Sequence, residues 1–166
     1  HILNVLKHCI DKTNYFSIKP SEVTLEKAKI AFDKGIDCIL KTQFVQNGKL
    51  TAWCAQHDRV TLKPAKARAF ELPSISGNES VGICTFLMSF NNPSAEIKKA
   101  INAAATWMES VKIVGIKVEN ITDPNQPSGK DRVVVADPNS TLWARFYDLE
   151  TNKPFFVGRD SIAKPT

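Results

Sequence analysis

The sequence offers little to the commoner enzyme chemistries. Its 166 residues hold only three histidines and two methionines. There is no Gly-x-Ser-x-Gly, no Gly-x-Gly-x-x-Gly, no glycine-rich phosphate loop and no His-Glu-x-x-His. Those absences remove the familiar nucleophile, dinucleotide, nucleotide and zincin patterns. The four cysteines, at positions 9, 38, 54 and 84, form no Cys-x-x-Cys pair, so zinc-site spacing is missing too. No apolar run approaches the roughly 18 residues of a membrane span. The longest, Val81 to Phe90, reads as a buried helix. No internal repeat, low-complexity tract or βαβ alternation stands out.

What is present suits a soluble domain. The chain is 43% hydrophobic and 23% charged, too apolar for disorder, and its length allows one domain with a sizeable core. Lys and Arg number 22 against 17 for Asp and Glu, a net charge of +5. That excess favours an acidic partner without choosing among nucleic acid, anionic lipid and anionic polysaccharide. Cys38, Cys54 and Cys84 sit among apolar neighbours and read as reduced core thiols; a Cys9–Cys38 bridge is the alternative in a secreted protein. Asn78, Asn120 and Asn139 begin short glycosylation patterns.

Residues 2–12 read as an amphipathic helix with Leu3, Leu6 and Ile10 on one face. Pro20 and Ser21 open a longer helix whose apolar spacing runs from Leu25 to Phe44, stopped by Asn47-Gly48. Residues 55–75 are basic and without a clean period, which marks a functional or mobile segment. Ser76-Gly-Asn-Glu79 is a capping-box pattern ahead of the next helix. Asn92-Pro93 starts a further one with Ile97, Ile101, Ala104 and Met108 on its apolar face. Val111–Val118 and Arg132–Ala136 read as strands about a 123–129 loop. Residue 1 is His and no cap precedes the first helix, so a piece of a longer chain is expected.

Three arginines lie beside aromatic residues: Arg68, Arg145 and Arg159. For each, a surface charge or a pair with Glu71, Asp148 or Asp160 is the plainer reading. Together they suit a planar carboxylate held bidentately, and so a sugar acid rather than a neutral sugar.

Long blocks around these arginines resemble the pectate lyases of polysaccharide lyase family 10. They are Thr51-Ala-Trp-Cys-Ala-Gln-His57, Lys66-Ala-Arg-Ala-Phe-Glu-Leu72, Ser74-Ile-Ser-Gly-Asn-Glu-Ser-Val-Gly82, Phe86-Leu-Met88 and Leu142 through Asp160. The resemblance runs over nearly the whole chain, least so at 111–135. It implies a mainly α fold, part of an incomplete α/α toroid of helical hairpins with short β-strands towards the C-terminus. It also implies that residues 1–166 are a partial catalytic domain, with an N-terminal half and a C-terminal end missing. The implied reaction is calcium-dependent β-elimination of polygalacturonate (pectate). In this reading Arg68 is the base, and Arg145 and Arg159 hold the substrate carboxylate. Trp53, Gln56 and His57 are weaker candidates for the cleft wall. Calcium ligands are expected upstream of residue 1, so no metal ligand is assigned here. The expected partner is polygalacturonate, with neither nucleic acid nor membrane, and the complete protein is expected to be secreted and monomeric. A non-catalytic fragment or relative that binds acidic polysaccharide is the alternative. A basic nucleic-acid module ranks below both, because the cations are dispersed over several elements.

Overall fold

The computed structural model describes residues 1–13 and 15–165. Helices α1 (Ile2–Ile10) and α2 (Glu22–Thr42) come first, followed by β1 (Val45–Gln46) and β2 (Lys49–Leu50). A long irregular stretch leads to β3 (Ile75–Ser76), then α3 (Gly77–Met88) and α4 (Ala95–Ser110). The rest is β structure: β4 (Ile113–Thr122), β5 (Lys130–Leu142), β6 (Phe146–Tyr147), β7 (Phe155–Val157) and β8 (Ala163–Pro165). Strands pair antiparallel two by two, as β1–β2, β3–β6, β4–β5 and β7–β8.

The expected mainly α toroid is therefore corrected. Among the described residues helix accounts for 36% and strand for 25%, spread over four helices and several small sheets. Helical hairpins reach no further than α1 on α2 and α3 on α4. The reason lies in the β4–β5 ribbon, which is far longer than the local pattern suggests. Its ladder breaks between Val114 and Ile116, opposite residues 137–140. Pro138 sits in that bulge, where no ladder N–H is needed, and Gly115 takes φ 85° beside it.

Local chemistry explains most helix boundaries. Ser21 and Ser76 each accept the backbone N–H three residues on, from Thr24 and Glu79, and Ser76 also meets the Glu79 carboxylate. α2 ends at Thr42 rather than continuing through Phe44. Asn47 (φ 50°) and Gly48 (φ 75°) make the two-residue turn of the β1–β2 hairpin. The cap of α4 is Ser94, which accepts from Ile97 N–H, two residues after the expected Asn92. Val81–Phe90 is not a buried helix: Val81 and Met88 are exposed and only Leu87 of that run is fully covered. Leu3 of α1 lies against Gly35 of α2, where a methyl group would collide with it.

The core gathers around Trp53, Ile75, Leu87, Trp107 and Tyr147. Tyr147 stands edge-on to Trp107 at 5.1 Å, gives its hydroxyl proton to Val111 C=O and accepts Ala144 N–H. All four cysteines are free thiols. Cys54 is buried, while Cys38 is exposed on α2 and so is not the core thiol expected.

One repeated turn was not foreseen. Asp58-Arg-Val-Thr-Leu-Lys-Pro64 and Asp148-Leu-Glu-Thr-Asn-Lys-Pro154 fold alike. In each, one aspartate oxygen accepts the N–H groups two and three residues on and the threonine hydroxyl. In each, the aspartate N–H reaches the lysine C=O, and the residue after the threonine is left-handed. A β-bridge closes both, His57 to Pro64 and Tyr147 to Pro154.

Candidate active site

The arginines predicted from sequence come from three loops that the fold draws together. Arg68 leaves the first repeated turn and enters a tight loop in which Ala67 N–H reaches Glu71 C=O and Glu71 N–H reaches Arg68 C=O. That loop folds the Glu71 carboxylate back onto Arg68. Arg145 lies just before β6, and β6 pairs with β3 at the entrance of α3. Gly77 makes this approach possible: its N–H reaches Arg145 C=O at 3.1 Å. A Cβ there would lie 2.6 Å from Ala144 C=O. Arg159 follows the second repeated turn by way of β7.

Glu71 is the centre of the cluster. Its Oε2 accepts Arg68 Nε–H at 2.8 Å and Arg68 backbone N–H at 3.3 Å. Its Oε1 accepts Arg68 Nη2 and, at 3.0 Å, Arg145 Nη2. Arg145 Nη2 also lies 3.6 Å from Glu79 Oε1. The carboxylate is 7% exposed, against 66% for the Arg68 side chain and 45% for Arg145. Each guanidinium thus has one edge fixed on a buried anion and the rest facing solvent. Each also lies over a nearby ring, Arg68 4.9 Å above Phe70 two residues on and Arg145 4.9 Å above Phe146 beside it.

The electrostatics follow from that arrangement. Hydrogen bonding from Arg68 pulls the Glu71 carboxyl down to about 2, with burial opposing. In return the hydrogen bond and charge of Glu71 raise Arg68 above the ordinary arginine value. Arg68 is held as a cation in this arrangement.

Arg159 does not share the carboxylate, but its loop is tied to that of Arg68. Ser161 gives its hydroxyl proton to Ala69 C=O at 2.7 Å, and Lys66 Nζ donates to the same hydroxyl at 3.0 Å. Lys66 therefore braces two loops rather than standing free in solvent. Among the wall candidates, Trp53 is fully buried and gives its indole N–H to Ile39 C=O; it builds the core. Gln56 is exposed on the segment leading into the first repeated turn. His57 is half-buried, its Nε2 enclosed without a hydrogen-bond partner, and burial holds its ring below the usual pKa. It borders a cavity of about 1030 Å³ with Asn78, Glu79 and the start of α1. Among the described residues no three His, Cys, Asp or Glu side chains come together as a metal-holding group.

Sequence reasoning missed Glu79 and gave Glu71 only as an ordinary ion-pair partner. The i, i+3 spacing of Arg68 and Glu71 was a signal; the meeting with Arg145, 74 residues away, was not.

A family model described as pectic acid lyase matches residues 1–165. No curated protein is significantly similar. Among solved structures, family 10 polysaccharide lyase from Cellvibrio cellulosa is 40% identical, covers 97% of this chain and superposes with a TM-score of 0.83. A mutant of the family 10 enzyme from that organism, in complex with trigalacturonic acid, is 39% identical over 98% of this chain, with a TM-score of 0.84. The chain spans 49% of the length of each of these structures.

Proposed function

The chain belongs to the pectic acid lyase family, and from that membership we propose that it carries the arginine side of a pectate lyase site. The substrate in this reading is de-esterified polygalacturonate. Its support is the trigalacturonic acid bound by a 39% identical neighbour, together with the exposed cationic edges of Arg68 and Arg145. That convergence on one buried carboxylate is the observation that carries the proposal.

The proposed reaction is β-elimination. The C5–H bond breaks, its proton passes to a nitrogen of Arg68, and the electron pair becomes the C4=C5 double bond. The C4–O bond breaks and the glycosidic oxygen leaves with its electrons. The barrier is the charge that builds on the uronate carboxylate as C5 loses its proton. Donors already aimed at that charge lower it, because they need no reorganisation during the step. Arg145 and Arg159 are assigned that contact. Arg68 must be neutral to act as base, while Glu71 favours its cation. Turnover should accordingly climb with pH.

Calcium, implied by the resemblance, finds no assembled site among the described residues, and no step is drawn through it. We place its ligands outside this chain. Secretion likewise remains part of the proposal.

A second reading keeps the binding and drops the chemistry: the chain holds acidic polysaccharide without cleaving it. The raised pKa of Arg68 favours it. The two separate on one assay, run on the protein in the length in which it is naturally made. Ultraviolet-absorbing unsaturated product should form from polygalacturonate, and Arg68→Ala should remove it while leaving polymer binding largely intact. Binding without product would leave only the second reading. Near-normal turnover of Arg68→Ala would remove Arg68 as base.

A further inference from the structure

We propose that Glu71 is a positioning residue, whose buried carboxylate locks Arg68 and Arg145 into one rigid pair with their outer edges turned to the substrate. The inference rests on the reading above and adds to it a member that never touches the sugar. Three features carry it. The carboxylate is 7% exposed, so water does not compete for it. Both its oxygens are used, Oε2 by Arg68 Nε and Arg68 N–H, Oε1 by the Nη2 groups of both arginines. And the donors left over are the useful ones: among the described residues Nη1 of Arg68 and Nε and Nη1 of Arg145 have no protein acceptor.

An unsupported arginine is a poor fixed donor, since its side chain has many rotamers to lose when a ligand arrives. A buried anion behind it removes that loss before binding. It also sets spacing, because both guanidinium groups grip one oxygen, Oε1. A fixed separation suits the two roles above, with Arg68 beside C5 and Arg145 on the carboxylate of the same uronate. Glu79, 3.6 Å from Arg145 Nη2, closes the same group from the α3 side. The charged groups around Arg68 are thus Glu71, Arg145 and Glu79.

The test compares the wild type with Glu71→Gln, which keeps the shape and removes the charge. Affinity for trigalacturonate is expected to fall roughly 10- to 100-fold, by analogy with removal of the hydrogen-bonded partner behind a metal ligand. The rising limb of the pH–rate profile is expected to move to lower pH, because Arg68 loses the partner that favours its cation. A merely structural carboxylate would lower rate or stability without moving that limb, so an unmoved limb overturns the proposal. Unchanged affinity overturns it as well. If the wild type gives no unsaturated product, the functional reading falls, and the Arg68 Nε–H signal in the nuclear magnetic resonance spectrum decides the positioning role. Slow exchange with water in the wild type, lost in Glu71→Gln, supports it. Fast exchange in the wild type overturns it, and that measurement stands even if the variant does not fold.

Discussion

Replacing Gly77 by alanine tests the placement of Arg145 without touching any charged group. Gly77 opens α3, and its Cα faces the chain that carries Arg145. A methyl group built there lies 2.6 Å from Ala144 C=O and 3.7 Å from Cε2 of Tyr147. The obstacle is backbone, not the end of a flexible side chain, so the β6 segment must retreat by about 0.8 Å to reach ordinary contact. Three interactions stand in the way: Gly77 N–H to Arg145 C=O at 3.1 Å, Ser76 N–H to Trp53 C=O at 2.8 Å, and the Ser76–Phe146 pairing. Forcing a methyl into a filled site costs about 1–3 kcal/mol. In a chain of this size that is a fall of roughly 2–4 °C in Tm per kcal/mol. The displaced Arg145 should also lose its grip on Glu71 Oε1, so binding of trigalacturonate should weaken. Thermal unfolding by circular dichroism and titration calorimetry check the two effects. A Gly77→Ala protein with unchanged Tm and unchanged affinity would show that this contact does not place Arg145.

Three further outcomes follow from single groups. Glu71 has its carboxyl drawn down to about 2, below the unfolded glutamate value of about 4.3. Its contribution is therefore present above that unfolded value and lost as pH falls towards about 2. Urea unfolding across that window should show a stability loss that Glu71→Gln lacks, and parallel curves would contradict the pairing. Leu62 holds φ 58° in the first repeated turn, where its counterpart is Asn152 at φ 56°. Leu62→Asn should stabilise by up to about 1 kcal/mol, since asparagine tolerates that conformation and leucine does not, and chemical denaturation reads the gain. The Cys54 thiol is pushed up to about 12 by burial, while Cys38 is exposed. A thiol reagent should label Cys38 in the native protein and Cys54 only after unfolding; early labelling of Cys54 would contradict its burial.

Much of the helical layout was legible because its signals are local. Ser21 and Ser76 act within three residues, and the Leu3–Leu6–Ile10 stripe within three turns. The loop at 123–129 announced itself by composition. The ribbon's true extent was not legible, because Asp137-Pro138-Asn139 looks like a loop. Only the register with β4 shows it to be a bulge inside a strand. Phe44 kept helical spacing by coincidence: its N–H and C=O serve Ala52 and Thr51 instead. Trp53 looked like a cleft residue because an aromatic beside polar groups reads the same whether it faces a sugar or the core. Within the candidate site, Arg68, Arg145 and Arg159 came from the sequence blocks. The carboxylate that Arg68 and Arg145 share did not, since a contact across 74 residues leaves no local period. The paired Asp-x-x-Thr-x-Lys-Pro segments were visible all along, and were missed because they repeat once, 90 residues apart.

Those twin turns have a consequence for how the chain tolerates change. Each closes on its own aspartate and threonine, over seven residues, and the second is tied to the rest of the molecule as well, through the hydrogen bonds of Gln46 and Trp107 to Asn152. Contacts of such short range form early in folding and cheaply in chain entropy. One turn launches the segment that bears Arg68, the other the segment that bears Arg159. Both arginine-bearing segments therefore start from the same local geometry, set within seven residues. Arg59 and Val60 in one turn and Glu150 in the other are exposed and are where the sequence should vary first, whereas Leu149 packs against the core.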